Sequence, residues 1–318
     1  MDDRATTPDQ VRPRPSGPRR GASTLPHHRR RRALALVLLG ACALIVGILA
    51  VGGSGTARHH VTLATVGFMH RIQTLAGTGL GSFSAAEQAA ENAAIDRTLA
   101  YAPYVRLAGA QHRELALTFD DGPGPYTPKI LSILERAGVP ATFFEVGVLE
   151  RYFHASTAEI VADGYPVGDH TESHAPMSKL SAADQERQLL LQSSHVGDYG
   201  VPFPRLFRPP YGLWNSTTLS LLHRYKMLMV LWSVDTGDYR GPGESAIVSS
   251  VLHGARPGAI VLMHDAGGDR GETVQALPRI ITALRARGYR LVTVPRLLLD
   301  NPPPVNQQLP GGLGGTGG

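Results

Sequence analysis

One cysteine, Cys42, is the whole thiol content of the 318-residue chain. An internal disulfide and a Cys-rich zinc site are both excluded, so any metal must be held by His, Asp or Glu. Charge of one sign is also scarce once the N-terminus is set aside. Residues 1–32 carry nine Arg against three Asp, a net of +6, and because the whole chain comes to +5 the other 286 residues come to −1. Nucleic-acid binding by the folded part therefore has no compositional support. The HExxH signature does not occur, and the Cys pair that would turn His170-Thr171-Glu172 into a deaminase site is missing. A hydrophobic content of 42% is still enough for a full core in one large domain or two ordinary ones.

The basic run, rich in Pro and ending in HHRRRR, reads as a disordered tail over 1–32. It is followed by 19 apolar residues, 33–51, with no charge until Arg58. A helix rising about 1.5 Å per residue over that length matches the roughly 30 Å hydrocarbon core of a bilayer. The sequence predicts a transmembrane signal-anchor helix over 33–53, with the polybasic flank cytoplasmic and everything after it outside. A cleaved signal peptide and a lipoprotein box at Leu39-Gly40-Ala41-Cys42 are the competing readings. Residues 54–110 read as a stalk or juxtamembrane region with an Ala-rich helical piece over 84–100 and no chemistry. Residues 301–318, rich in Pro and Gly, read as a second disordered tail.

The folded domain is expected over 111–300. There, apolar runs near 115–119, 141–146, 165–169, 204–208, 228–234, 259–263 and 290–294 alternate with helical segments. Thr127-Pro128 opens one helix, with Thr127 as cap, and Gly138 closes it. Ser156 and Glu159 have capping-box spacing, and Ser181 and Asn215 are further N-cap residues. Strands alternating with helices specify a parallel α/β architecture, either a barrel or an open sheet. The unusual polar residues fall at the C-terminal ends of these strands: Asp120 and Asp121, His170, Arg208, Asp235 and Asp238, and His264. In parallel α/β folds that edge gathers side chains from distant strands around a ligand.

His170 and His174 are four residues apart, and on a helical turn both imidazoles would share one face and one metal ion. With a carboxylate from another strand they make the two-His, one-carboxylate set of a hydrolytic zinc site. A non-heme iron oxygenase uses the same set but is expected on a strand-rich sandwich rather than on alternating strands and helices. Asp120 and Asp121 raise a separate question, because successive strand residues point to opposite faces and adjacent carboxylates repel. Different tasks would answer it. One acid binds the metal, and the other stands as a base beside the water that the metal activates, which points to hydrolysis of a carbonyl compound.

Five blocks stand in order: TFDDGP at 118–123, HTESH at 170–174, RPPYG at 208–212, WSVDTGDY at 232–239 and LMHD at 262–265. Through them most of the expected domain resembles the polysaccharide deacetylases with a NodB homology domain, carbohydrate esterase family 4. The resemblance implies a distorted (β/α) barrel of about seven parallel strands. It also implies a divalent metal, zinc first and cobalt or another ion second, and removal of acetyl groups from N-acetylated sugars. Asp120 would be the general base, and Asp121, His170 and His174 the metal ligands. Arg208 would hold the base carboxylate, and the backbone N–H of Tyr211 would stabilise the oxyanion. His264, its pKa raised by Asp238, would protonate the leaving amine. Leu262 would wall the acetyl-methyl pocket, with Trp232 and Tyr239 in the substrate-binding set. Tyr239 stands where Trp is usual, and Asp169 stands where Asn is frequent, which adds a negative charge near the metal.

The expected function is a metal-dependent deacetylase acting on N-acetylglucosamine residues of an extracellular polysaccharide, peptidoglycan first and chitin-like polymers second. Its expected place is the cell membrane, as a single-pass protein, with secretion or lipoprotein processing as alternatives. An O-acetyl esterase on xylan-like polymers would use the same residues, because amide and ester hydrolysis share a tetrahedral intermediate. The other alternative is a tethered glycan-binding protein without catalysis. Neither a nucleic-acid partner nor a protein partner is implied.

Overall fold

The computed structural model describes residues 84–307. The expected basic tail and the anchor over 33–53 lie outside them. Among the described residues, no helix is long and apolar enough to cross a membrane.

A curled sheet of nine parallel strands carries the fold. In chain order these are β1 (Tyr104–Val105), β2 (Glu114–Gly122), β3 (Thr142–Glu145), β4 (Val167–Asp169), β5 (Leu206–Phe207), β6 (Leu228–Val230), β7 (Val234–Asp235), β8 (Ala259–His264) and β9 (Arg290–Leu291). They are arranged β1-β6-β5-β4-β3-β2-β8-β7, with β9 paired to the start of β2. The helices are α1 (Ala85–Leu99), α2 (Thr127–Ala137), α3 (Gly147–Tyr152), α4 (His154–Ala162), α5 (Ala182–Gly197), α6 (Ser216–Tyr225), α7 (Glu244–Gly254), α8 (Gly271–Ala286) and α9 (Val294–Asp300). The sheet curls into a half-barrel, and Leu107, just past β1, bridges to Ala259 of β8. The apolar run over 228–234 is two strands rather than one. Its first part pairs with β5 and β1, while its second crosses to β8. That crossing, together with β1, makes nine strands where about seven were expected.

Strand period decides the layers. Along β2, Leu115, Leu117 and Phe119 face the surrounding helices, packing with Ile130, Leu131 and Leu134 of α2 and Ile280 and Leu284 of α8. Ala116 faces the other way, into an inner layer with Phe144, Leu206, Leu228, Val230 and Ile260. Each fully buried Leu or Phe contributes about 1.5–3 kcal/mol of burial free energy, so these two layers dominate stability.

The caps follow the sequence in part. Ser181 and Asn215 accept the N–H groups of Asp184 and Thr218, and Gly138 ends α2 in the left-handed conformation at φ 60. Thr127 is inside α2 rather than at its cap, because its hydroxyl is committed to Asp265 Oδ2. Ser156 caps nothing either, since α4 already starts at His154.

The region read as a stalk supplies α1 and β1. Ser84 and Glu87 close a capping box on α1, and Ala94 and Ile95 pack with Leu297 and Leu298 of α9. At the other end the chain is packed as far as Gln307. Asn301 is fully buried, its Nδ2 donating to Glu114 Oε2 (2.8 Å) and its Oδ1 accepting from the His112 N–H (2.6 Å). Replacing Asn301 with Ala is expected to lower the unfolding free energy by about 2 kcal/mol, because two buried groups lose their partners. Urea unfolding monitored by far-UV circular dichroism checks this, and an unchanged midpoint would show that the Asn301 contacts are dispensable.

Candidate active site

Asp120 continues the inward face of β2, and in a regular strand Asp121 would point outward. The pairing of β2 with β3 slips between Asp120 and Gly122, and Asp121 adopts φ 70. Asp tolerates this left-handed conformation better than most residues, and a bulge re-aims the side chain. Both carboxylates therefore line one cleft. Their surroundings leave no room for a Cβ at two positions. One on Gly122 would come within 2.5 Å of both Asp265 carboxylate oxygens, and one on Gly267 would overlap Asp121 Oδ2.

Arg208, just past β5, is the largest fully buried side chain. Its Nη1 donates to Asp120 Oδ1 (2.6 Å) and to Thr118 Oγ1 (2.8 Å), its Nε to the Val230 carbonyl (2.9 Å) and its Nη2 to the Leu231 carbonyl (3.3 Å). The guanidinium lies 4.1 Å from the Phe144 ring centre. Burial lowers its pKa and Asp120 pulls it back up, with a net lowering from a value so high that the group stays cationic.

Past β4, His170 Nδ1 lies 2.7 Å from the Arg208 carbonyl. A carbonyl can only accept, so Nδ1 carries the proton and Nε2 keeps its lone pair. His170 Nε2 and His174 Nε2 stand 3.5 and 3.0 Å from Asp121 Oδ1. One ligand atom from each of these three residues lies within 4.8 Å of the others. Two imidazoles and a carboxylate this close, with one ring oriented by a backbone acceptor, fit a divalent metal of the zinc type. Burial would raise the Asp121 pKa, but the adjoining imidazoles of His170 and His174 outweigh it and hold the carboxyl well below the usual range.

The helical turn expected for His170 to His174 is absent. The segment is a loop in which Thr171 (φ 69) and His174 (φ 54) are left-handed, and it still brings the imidazole centres to 5.0 Å. Asp169 shapes this loop by accepting the Thr171 N–H at 2.7 Å. Burial of Asp169 pushes its carboxyl well above the ordinary range, toward the neutral acid, which has the shape of an Asn amide.

Beside Asp120 in the sheet, β8 ends on His264. Asp238 Oδ1 sits 2.7 Å from His264 Nδ1, and its Oδ2 accepts from the His264 N–H and the Thr273 hydroxyl, both at 2.8 Å. An ionised carboxylate only accepts, so Nδ1 carries a proton and Nε2 is left for the cleft. Burial would lower the His264 pKa. The Asp238 hydrogen bond and charge, with Asp120 and Asp121 behind them, outweigh it and raise the pKa. For Asp238 burial pulls upward, and His264 more than offsets it, giving a lowered pKa.

The cleft has a volume of about 980 Å³ and is also lined by Tyr211, Trp232, Tyr239 and Leu262. Arg208 and Asp238 stand behind its wall, acting through Asp120 and His264. Tyr239 sets its ring edge-on to His264 at 5.4 Å. Sequence reasoning missed two contributions. Asp265, the last letter of the LMHD block, is fully buried under Gly122, and burial, outweighing the Thr127 hydrogen bond, pushes its carboxyl up to about 7. The Tyr211 hydroxyl sits 3.2 Å from His174 Nδ1, a contact that no sequence spacing reveals. Tyr211→Phe keeps the backbone and removes only this contact, so it is expected to weaken metal binding about tenfold. Competition with a chromogenic chelator measures the change, and an unaltered affinity would show that the hydroxyl does not hold the imidazole.

Comparison with known proteins gives a consistent picture. A family model described as polysaccharide deacetylase matches residues 108–230. A chitooligosaccharide deacetylase from a Bradyrhizobium species is 38% identical over 199 residues, covering 58% of this chain and 90% of its own length. A peptidoglycan-N-acetylglucosamine deacetylase from Bacillus cereus is 38% identical over 187 residues, covering 58% of this chain and 87% of its own. Among solved structures, a peptidoglycan N-acetylglucosamine deacetylase in complex with a naphthalenyl N-oxidanyl-benzamide aligns with a TM-score of 0.61 at 33% identity. That alignment covers 63% of this chain and 94% of the other.

Proposed function

The chain belongs to the polysaccharide deacetylase family, and from that premise we propose that it hydrolyses N-acetyl groups on N-acetylglucosamine residues of peptidoglycan, releasing acetate and leaving a free amine. One observation carries this reading. An Arg-held carboxylate, a three-residue metal set and an Asp-held imidazole meet at a single cleft. A protein that only bound glycans would have no use for an acid and a base held beside a metal set.

Asp121, His170 and His174 would hold the metal, for which zinc is our choice. When bound, it would polarise the acetyl carbonyl and bring a water toward a pKa of about 7. Asp120, with Oδ1 committed to Arg208, has Oδ2 to take the proton from the attacking water as the new C–O bond forms. The backbone N–H of Tyr211 meets the negative charge that develops on the carbonyl oxygen. As the C–N bond breaks, His264 gives a proton from Nε2 to the departing nitrogen, while Asp238 holds Nδ1–H and stabilises the imidazolium. Leu262 packs against the acetyl methyl, and Trp232 and Tyr239 flank the sugar. The apolar run over 33–51, behind its polybasic flank, supports a place on the outer face of the cell membrane, next to peptidoglycan.

Asp120→Asn should lower kcat/KM by about 10³-fold, within the range of a lost general base, while the metal stays bound. Acetate release from N-acetylglucosamine oligomers, with metal analysis on the same sample, checks both parts, and near-native turnover would refute the base. A second expectation concerns pH. Asp238 raises the His264 pKa, so the protonated acid persists to higher pH than a lone imidazole would. With Asp238→Asn that support is gone, and the alkaline limb of the kcat/KM profile should move down by about one unit. A limb that stays in place would mean that His264 is not the proton donor.

A further inference from the structure

We propose that Arg106 and Arg240 form an anion-recognising rim on the cleft, so that the enzyme prefers an amino-sugar glycan bearing a carboxylate beside the acetylated residue over a neutral chitin-like chain. The inference rests on the deacetylase reading above and names the substrate chemistry of that site. Peptide-free stretches of peptidoglycan fit it, because once the stem peptide is removed alternate sugars carry a lactyl ether that ends in a carboxylate.

The argument starts from charge balance. Beyond the basic tail the chain is close to neutral, yet Arg106, Arg240 and Arg270 all line the cleft. Two of the three carboxylates in the cleft are paired, and the third, Asp235, is exposed with one backbone hydrogen bond. Asp120 is paired with Arg208, Asp121 with His170 and His174, and Asp235 Oδ1 accepts the Gly237 N–H at 2.8 Å. Arg270 is buried and occupied, donating to the carbonyls of Ala266, Gly267 and Asp269. Arg106 and Arg240 differ from it. Neither has a carboxylate partner among the described residues: Arg240 donates only to the Tyr239 hydroxyl (2.5 Å), and Arg106 Nε is buried with no hydrogen-bond partner. An unmet donor leaves the charge of this guanidinium uncompensated until an anion pairs with it.

Both positions are also held in place. Arg106 follows β1, and its backbone N–H, with that of Leu107, donates to Gln307 Oε1 (3.1 and 3.3 Å), while Gln307 Nε2 returns a bond to the Leu107 carbonyl (2.9 Å). Arg240 lies 4.8 Å from the Tyr239 ring centre, and that ring is the one set against His264. A guanidinium matches a carboxylate with two parallel N–H donors, and a pre-positioned one loses less freedom on binding. A rim of this kind, beside the group proposed to protonate the leaving amine, selects for a carboxylate close to the reacting sugar.

The test measures acetate release by the full chain on three probes of matched length. These are chitooligosaccharide, peptide-free peptidoglycan strands with free lactyl carboxylates, and the same strands after amidation of those carboxylates. The free-acid strands should be preferred over the amidated ones by about tenfold in kcat/KM, mainly through KM, and the preference should shrink as salt rises. Arg106→Gln and Arg240→Gln should each cut that ratio severalfold, with Arg106→Lys retaining part of it. Equal rates on free and amidated strands by the unaltered protein, or a preference that survives the double Gln variant, would overturn the rim. No acetate from any of the three probes would instead overturn the deacetylase reading.

Discussion

A guanidinium enclosed in the fold needs partners for its donors, and Arg208 makes four hydrogen bonds, one of them to the carboxylate that the chemistry uses. Through Asp120 and Thr118 it reaches across to the end of β2, and through the Val230 and Leu231 carbonyls it holds the end of β6, the neighbour of its own strand. Its own carbonyl fixes the tautomer of His170. A buried ion pair of this type contributes little net stability compared with well-packed apolar side chains, while loss of one partner strands the other charge. Its value lies in position. One side chain aligns the carboxylate and, through its backbone, a metal-site imidazole.

Backbone strain is gathered at the same place. Asp121, Thr171, His174 and Tyr211 all have positive φ, and the only other non-glycine residue of this kind among the described residues, Lys226, ends α6. Conformations of this sort persist where the surroundings over-determine them. Here the surroundings are the slipped register of β2, the Asp169 turn and the close approach of Gly267. Regular structure could not have served. A strand would have turned Asp121 away from Asp120, and the bulge brings it back.

The histidines show how partners divide roles within one residue type. A backbone carbonyl takes the His170 Nδ1 hydrogen and leaves Nε2 as the ligand atom, whereas the Asp238 carboxylate raises the His264 pKa, which suits a proton donor. Opposite needs are met by an acceptor without charge in one case and with charge in the other. The same principle explains Asp169, where burial favours the neutral acid, with its hydrogen-bonding shape, over the charge.

How much was legible in the letters depends on the range of the interaction. Alternation of short apolar runs with capped helices determined a parallel α/β fold, because strand period and cap chemistry are local. The blocks at 118–123, 170–174, 208–212, 232–239 and 262–265 determined which side chains would meet at the C-terminal edge of the sheet. The failures were non-local in cause. The run over 228–234 looks continuous, but its two halves pair with strands at opposite ends of the sheet, and a pairing partner leaves no mark on composition. The 84–100 segment and Asn301 resemble linkers, and only contacts with residues roughly two hundred positions away show that they are packed. Sequence therefore specified the chemical groups and the layer each would occupy. The tertiary structure decided their orientation and charge state, because bulge geometry, burial and hydrogen-bond partners are properties of neighbours in space.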